Sequence, residues 1–459
     1  MAGIGFRLIH LLEKQSYAGA LQAYGYAALI GSGPWVLSMV TLGLLGAALR
    51  ASGSGDGLDT FFVAVTYVFA FSLVATGPLQ LILSRYAADR VFAREEHKIF
   101  PAYLAALALT FGVAAVAGGV FFLGGVEGSP VFRFAATGLL MAVSAIWIST
   151  VFISAAKDYN SVLRCFGLGY ALSFGTTWGG GSLAGMDGAM VGFTVGQLGL
   201  ALLLFRVIFA EFGTRSGPSF AFLDYFRRHK VLAATGLIYN LGIWIDKPLH
   251  WWFSPHGYAV NGWLWASPLY DEAVYLSFLS VAPGMAVFLL SVETTFALHY
   301  ERFFRQVVEK AKLADLRASK QAMIDALRDG MARMLKFQGG VTLLLVLGAE
   351  PLLESLDLGA VQTLVFQITL VGVFLLVVLL ALLTVLFYLD RLREALWACG
   401  LFAIVNGVGT VAGLLVDERW YGMGFTVGAA LAVVYAARQA NRWLDRLDYE
   451  TFTAQPLYA

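Results

Sequence analysis

Apolar runs long enough to cross a bilayer alternate with short polar segments along almost the whole chain. A helical crossing needs roughly 20 mainly apolar residues, and twelve stretches of this kind can be delimited. The pattern therefore predicts an all-α integral membrane protein with about twelve transmembrane helices. We place these helices at residues 19–49, 58–84, 101–124, 131–156, 159–183, 188–210, 231–252, 271–300, 336–356, 360–389, 392–416 and 421–444.

One polar connection divides these spans into two equal sets. Residues 211–230 carry four basic side chains, and six predicted spans lie on either side of them. Duplicated halves are common among membrane transporters. We therefore predict an N-terminal six-helix lobe at 19–210, a cytoplasmic linker at 211–230 and a C-terminal six-helix lobe at 231–459.

Two further segments have the pattern of amphipathic helices. Residues 1–18 place Phe6, Ile9 and Leu12 on one side, which predicts a short helix lying in the membrane interface. Residues 300–335 are rich in charge, and oppositely charged residues four positions apart favour a helix there. We predict that 300–335 form a helical hairpin on the cytoplasmic face.

The segment 300–335 also offers the largest predicted docking surface, because the other loops on that side are short. Phe304, Val307 and Val308 form an apolar stripe, and Arg305 lies beside it. We predict that this stripe binds a partner protein. The alternative is that the stripe packs on the membrane or on its own lobe.

Composition and charge predict the class of protein and its orientation in the membrane. The chain has 459 residues, is 59% hydrophobic and 13% charged, and has a mean hydropathy of +0.73, which leaves no room for a soluble catalytic domain. If the spans alternate, all but four of the 31 basic residues lie on one side. Cytoplasmic loops carry such an excess, so both termini are predicted to be cytoplasmic and residues 248–270 external. The four exceptions are Arg50, Arg133, Lys247 and Arg419.

Several kinds of chemistry are excluded by the motifs. Gln439 to Trp443 match a QxxRW pattern of membrane glycosyltransferases, but they end the last span and no DxD motif occurs in the chain. No phosphate-binding GxxxxGK[ST] loop is present either. The two cysteines, Cys165 and Cys399, lie in or near spans. We predict no enzymatic activity, no cofactor, no metal and no nucleic-acid partner.

Ionisable residues within spans are candidates for a transport path, because an unpaired charge in lipid is costly. Lys157, Asn160 and Arg164 share one helix face near the cytoplasmic end of the fifth span, where they line a polar mouth or reach to the interface. Glu293 lies about two turns inside the cytoplasmic end of the eighth span. We predict that it faces a path or gate, with a structural ion pair as the alternative.

The external loop after the seventh span combines charge with tryptophan. Asp246 and Lys247 are neighbours on a helix and are expected to point in different directions, whereas Asp246 reaches His250 one turn on. We predict that Asp246 lines the outer exit. Trp244, Trp251 and Trp252 belong to a tryptophan-rich stretch, which suits either an interfacial belt or stacking on sugar rings.

Two runs carry a resemblance to a known family. The opening Met1-Ala2-Gly3-Ile4-Gly5-Phe6 with the later Ser32-Gly33-Pro34-Trp35, and the run Glu293-Thr294…Phe296…Tyr300…Phe303, resemble the Pel exopolysaccharide transporters of the PelG type. The resemblance covers the whole chain in length and span number. It supplies no established transport residues.

The resemblance implies a fold, a location and partners. It implies the flippase-like polysaccharide transporter superfamily, with two six-helix lobes around a central cavity in the bacterial inner membrane. It also implies a biofilm polymer, a partly deacetylated and therefore cationic N-acetylgalactosamine-rich glycan. The implied partners are a cytosolic glycosyltransferase and membrane subunits of a synthase complex regulated by cyclic di-GMP.

The sequence thus predicts export of an exopolysaccharide by a non-enzymatic transporter. One alternative is an ion-coupled small-molecule antiporter of the same two-lobe fold, for which no carboxylate near the middle of the membrane is evident. The other is a scaffold that assembles the synthase without transporting its product.

Overall fold

The structure is a computed structural model and describes residues 25, 27, 33–51, 57–155, 159–214 and 216–453. The predicted interfacial helix at 1–18 lies outside these residues. Helices account for most of the described chain. They are α1 (Gly33–Ala51), α2 (Leu58–Phe92), α3 (Ile99–Gly118), α4 (Pro130–Ala155), α5 (Tyr159–Phe212), α6 (Leu223–Arg228), α7 (Lys230–Trp244), α8 (Asp246–Phe253), α9 (Pro268–Leu279), α10 (Val281–Ser291), α11 (Ala297–Val308), α12 (Leu313–Leu347), α13 (Ala349–Glu354), α14 (Ala360–Tyr388), α15 (Leu392–Val416), α16 (Met423–Asp445) and α17 (Leu447–Thr453).

Short irregular elements interrupt this pattern. Two 3-10 turns lie at Glu96–Lys98 and Glu418–Trp420, and two π-helical turns lie at Gly119–Leu123 and Val292–Phe296. One antiparallel hairpin pairs β1 (Tyr258–Asn261) with β2 (Leu264–Ala266), in a register that sets Tyr258 opposite Ala266.

Nine helical stretches in the described part of the chain are long and apolar enough to cross a membrane. The predicted all-α membrane protein is therefore confirmed. The count differs from twelve for local reasons. The described part of the first span is short, at Val36–Ala51. The fifth and sixth spans run together in α5, where Ala184 and Gly185 turn the chain with non-helical dihedrals. The seventh span is divided between α7 and α8.

The chain divides into two compact units, one formed by Gly33–Asp271 and one that contains Glu272–Ala459. In the first unit, α2 packs along α4 and α7, and α4 packs along α3 and α5. Large buried side chains fill the spaces between these helices. They include Phe61, Tyr67, Tyr103, Phe122, Phe132, Phe152 and Phe193.

A contact between two glycines attaches α7 to the first unit. A Cβ atom on Gly77 would lie 2.6 Å from the carbonyl oxygen of Gly236, and one on Gly236 would lie 2.2 Å from that of Gly77. Small residues allow membrane helices to approach this closely. The first unit therefore extends to Asp271. The sequence instead places the boundary between the two lobes at the linker 211–230.

We expect Gly236→Val to destabilise the first unit by about 1–3 kcal/mol, because the added methyl groups force the backbones of α2 and α7 apart. The thermal midpoint of the detergent-solubilised protein measures this effect. Gly112→Val is the matched control, since Gly112 lies in α3 with open space where its Cβ would be. Equal midpoints for the two variants would contradict the close contact.

In the second unit, α14 packs against α12 and α16, and α16 packs along α15. The predicted eighth span is broken between α9 and α10, close to Pro283, whose ring and missing N–H disfavour a continuous helix. Gln338 on α12 donates its side-chain amide to the Ser280 carbonyl at this break, at 2.8 Å. The buried Gln338 side chain therefore replaces part of the lost helical hydrogen bonding.

Candidate functional site

A group of polar side chains, four of them buried and one, Asp271, half-buried, joins the starts of α8 and α9. We name Asp246, Lys247, His250, Tyr270 and Asp271 the buried charge cluster. The Lys247 ammonium lies 3.1 Å from Oδ2 of Asp246, and it also donates to the Ile243 carbonyl at 2.8 Å. The Tyr270 hydroxyl donates to the same Asp246 oxygen, and the His250 and Tyr270 rings stack with centroids 3.7 Å apart. The cluster thus links α8 to α9 through charged and aromatic contacts.

The expectation that Asp246 and Lys247 point in different directions is wrong. The long lysine side chain folds back to a carbonyl one turn earlier and meets the carboxylate there. Asp246 is 0% exposed and His250 is 1% exposed. Lining of the outer exit by Asp246 stays a prediction that requires the buried charge cluster to open.

Trp251 anchors this region to the core of the first unit. Its indole stacks on Tyr67 of α2 with ring centroids 4.4 Å apart. Its Nε1–H donates to both carboxylate oxygens of Asp271, at 2.9 and 3.0 Å. The Ser267 backbone N–H donates to the same carboxylate at 2.9 Å, and the Tyr67 hydroxyl donates to the Trp265 carbonyl at 3.2 Å. Trp251 therefore fixes α8 and the start of α9 on α2, and Tyr67 holds the hairpin there.

The neighbouring aromatic residues are exposed instead. Trp252 and Phe253 follow Trp251 on α8, and successive residues on a helix point about 100° apart. Two residues of the hairpin region are exposed as well, and we name these four residues, on the predicted outer side, the outer aromatic surface. Its members are Trp252, Phe253, Tyr258 and Trp263, which are 45%, 68%, 45% and 51% exposed.

The sequence identifies only part of this surface. Trp252 is exposed as a contact residue must be, whereas Trp251 is buried and Trp244 is half-buried, with the Lys247 ammonium 5.6 Å from its ring. Phe253, Tyr258 and Trp263 are additional candidates. Aromatic density in the loop is the only sequence signal for them, because their exposure depends on how the hairpin folds back.

Trp263 is held in place by the chain beside it. Its backbone N–H donates to the Gly125 carbonyl at 2.8 Å. A Cβ atom on Gly125 would lie 2.1 Å from the indole ring. Only glycine at position 125 leaves room for this ring.

The polar face predicted in the fifth span is partly described. Arg164 is exposed and donates to the Ser161 hydroxyl at 3.0 Å. Asn160 lies in the first turn of α5, and Lys157 lies outside the described residues. The shared polar mouth therefore stays a prediction.

Glu293 lies in a distorted part of the predicted eighth span. The π-helical turn Val292–Phe296 separates α10 from α11. Such turns are rare and occur frequently at functional sites. Next to Glu293, Thr294 is buried, and its hydroxyl donates to the Leu290 carbonyl at 2.6 Å. The backbone distortion coincides with the acidic residue that the sequence singles out.

The segment 300–335 is built from two helices that continue neighbouring spans. α11 and α12 pack against each other, and α12 has 35 residues, which corresponds to about 50 Å. Val307 is buried, Phe304 is half-buried against Tyr300, and Arg305 is exposed. Val308 is 79% exposed, so the accessible part of the predicted stripe lies at the turn between the helices.

Among the described residues, no group of three or more His, Cys, Asp or Glu side chains is arranged to hold a metal ion. The ionisable groups of the buried charge cluster bond to one another, to aromatic side chains and to backbone groups. The arrangement is suited to holding helices and binding a ligand by stacking.

Several solved structures have a fold similar to that of this chain. An outward-facing multidrug resistance MATE family transporter of the MOP superfamily superposes with a TM-score of 0.60 at 13% identity, over 92% of this chain and 96% of its own. A MOP superfamily transporter from Pyrococcus furiosus has a TM-score of 0.61 at 14% identity, with the same coverage. MATE in the bent conformation gives 0.63 at 14% identity, again over 92% and 96%. At such identities the similarity establishes the fold.

Sequence comparison identifies the family. No curated protein sequence matches this chain. A family model described as "PelG: Putative exopolysaccharide Exporter (EPS-E)" matches residues 1–452, which confirms the resemblance found in the sequence. The chain is therefore a multi-pass membrane protein with a MOP-type transporter fold, and it belongs to the PelG family of exopolysaccharide exporters.

Proposed function

We propose that this chain exports a Pel-like glycan across the bacterial inner membrane, as the non-enzymatic transporter subunit of a synthase complex. The glycan is N-acetylgalactosamine-rich, partly deacetylated and cationic. The observation that carries this proposal is the family match over residues 1–452, on a chain whose fold is that of transporters.

The charge of the second unit supports a cationic substrate. The helix ends on the predicted outer side carry Glu350, Glu354, Asp357 and Asp417, all exposed. Arg419 lies in the same region, and its guanidinium is 3.9 Å from Asp417. Excess acidic charge attracts a cationic ligand and guides its approach. Ammonium groups of a deacetylated glycan fit such a surface.

The outer aromatic surface supports contact with sugar rings. Aromatic faces attract cations as well as apolar surfaces, so they suit an amino sugar. The buried charge cluster and Trp251 hold α8, which carries Trp252 and Phe253. We assign this surface to the exit side of the path, with Lys157, Asn160 and Arg164 on the inner side and Glu293 at the gate.

Deletion of this chain in its bacterium tests the function. Secreted hexosamine polymer should disappear and return when the wild-type chain is supplied. A change in resistance to small toxic compounds with normal secretion would favour the antiporter. If a variant altered at both Trp252 and Glu293 still supports normal secretion, the result would favour the alternative that the chain is a scaffold of the synthase complex.

Cysteine labelling tests the predicted orientation. Pro255→Cys should react with a membrane-impermeant maleimide in intact cells, and Ala318→Cys should react only after the cells are opened. Both positions are exposed, and the native Cys165 and Cys399 are buried. Labelling of Ala318→Cys in intact cells would contradict cytoplasmic placement of the first turns of α12.

We further propose that the cytosolic glycosyltransferase docks on the turn between α11 and α12, where Val308 and Leu313 are 79% and 53% exposed. The double variant Val308→Asp with Leu313→Asp should lose co-purification of the enzyme, because it places two charges in an apolar contact. Phe92→Asp, at a residue 91% exposed in the first unit, is the control and should keep the enzyme. Full recovery with the double variant would place docking elsewhere.

A further inference from the structure

We propose that the linker 211–230 is an interfacial anchor, which binds the headgroups of anionic lipids through Arg227 and Arg228. This inference goes beyond glycan export, because it assigns a second ligand, a lipid phosphate, to a different part of the chain. Contacts within the first unit carry it.

The linker is held beside the ends of two membrane-crossing helices. The Ser219 backbone N–H donates to the carbonyl of Pro101, in the first turn of α3, at 2.9 Å. Next to Pro101, the ring of Phe100 has its centroid 5.3 Å from that of Phe209, which lies in the last turn of α5. Both helices belong to stretches long and apolar enough to cross a bilayer. The linker therefore lies at the depth of the boundary between membrane and water.

The face of α5 that ends at Phe209 is suited to contact with lipid. Its exposed residues recur every three or four positions along the second half of the helix, and before Arg206 all of them are apolar. They are Val191, Val195, Leu198 and Leu202. Lipid tails are equally apolar. Arg206 is exposed about one turn before Phe209, where a long basic side chain reaches to the headgroups.

Internal contacts orient α6 with one face outward. Phe222 is buried in the first unit, and the Tyr225 hydroxyl accepts a hydrogen bond from the Arg90 guanidinium of α2 at 3.1 Å. Successive residues of a helix point about 100° apart, so the outward face consists of other side chains. Those on it are Phe220, Leu223 and Arg227, all exposed. Apolar and basic residues on one exposed face are typical of a segment that lies in the membrane interface.

The charge of this segment selects an anionic ligand. Residues 216–230 contain three lysine or arginine residues and one carboxylate, Asp224. Arg227 and Arg228 are exposed, and neither forms an ion pair within the described residues. Basic side chains at a membrane surface attract anionic lipids, and the planar guanidinium matches the geometry of a phosphate. Phe220 and Leu223 supply the apolar contact that a lipid offers and a soluble phosphate lacks.

The thermal midpoint of the detergent-solubilised full-length protein tests the ligand, because a ligand that binds the folded state stabilises it. Phosphatidylglycerol should raise the midpoint of the wild-type protein more than phosphatidylcholine does, and inorganic phosphate should have no such effect. The double variant Arg227→Gln with Arg228→Gln should need about tenfold or more phosphatidylglycerol for the same rise. Arg317→Gln with Arg328→Gln is the matched control, since it removes two exposed charges from α12 and should respond as the wild-type protein does.

A spin label tests the depth of the segment independently. In phosphatidylglycerol vesicles, a label on Leu223→Cys should be accessible to oxygen and protected from a water-soluble relaxation agent. A label on Leu313→Cys, at the turn between α11 and α12, should be accessible to the water-soluble agent. Both leucines are exposed, at 41% and 53%, and the native Cys165 and Cys399 are buried.

The two measurements can each overturn the proposal. Equal stabilisation of the wild-type protein by both lipids would do so, as would an equal effect of inorganic phosphate or an unchanged response in the Arg227→Gln, Arg228→Gln variant. A label at Leu223→Cys that is as accessible to the water-soluble agent as one at Leu313→Cys would place the segment outside the membrane. The outward face of α6 would then be a surface for a partner protein.

Discussion

Trp251→Ala is expected to cost this protein about 3–5 kcal/mol of unfolding free energy, as is typical for deletion of a large buried aromatic side chain. Trp251 is 2% exposed. Its loss removes the stack on Tyr67 and both hydrogen bonds to Asp271. The variant should show a clearly lowered thermal midpoint in detergent and a reduced amount in the membrane.

The adjacent residue supplies the matched control. Trp252 is 45% exposed, so Trp252→Ala should keep the thermal midpoint of the wild-type protein. It should instead lower the amount of secreted polymer, because it removes a ring of the outer aromatic surface. The thermal midpoint of Trp251→Phe should lie between those of Trp251→Ala and the wild-type protein, since this variant keeps the aromatic stack on Tyr67 and loses the indole N–H. A Trp251→Ala protein as stable as Trp252→Ala would refute the anchoring role.

Glu293→Gln is expected to reduce polymer secretion about tenfold or more, which corresponds to about 1.4 kcal/mol, while the protein remains in the membrane at its normal level. The substitution keeps the shape of the side chain and removes its charge. It acts within the π-helical turn Val292–Phe296, a kind of distortion that is frequent at functional sites. Secreted hexosamine polymer and membrane protein level are measured in the same cells.

Thr295→Val is the control for this prediction, because it changes polarity in the same turn and leaves the carboxylate. Loss of the Glu293→Gln protein from the membrane would support the structural ion pair instead. Normal secretion from Glu293→Gln would exclude both roles.

The sequence predicts the class of this fold because the requirement for a membrane-spanning helix is met within one short stretch of the chain. Each span must supply about 20 apolar residues by itself, so stretches such as 360–389 are recognisable without knowledge of their neighbours. The family resemblance is equally local, since short runs such as Met1 to Phe6 carry it.

The first and last residues of a span are harder to predict where the helix bends or extends beyond the bilayer. The sequence separates the eighth span from the segment 300–335, yet α11 and α12 continue directly from their spans. Charged residues do not end a helix, so its extension beyond the bilayer leaves no sharp signal. The turn at Gly185 within α5 has a φ of 58°, and among many glycines in the spans nothing marks this one in the sequence.

By itself, the sequence determined that this protein is an all-α membrane protein of the PelG family, and it drew attention to Asp246, Glu293 and the tryptophans after the seventh span. The tertiary structure decided which of those side chains are available. Trp251 is buried and Trp252 is exposed because α8 turns one face onto Tyr67. Asp246 meets Tyr270 because α8 and α9 are brought together across the hairpin. Burial and pairing depend on residues distant in the chain, so no local pattern can encode them.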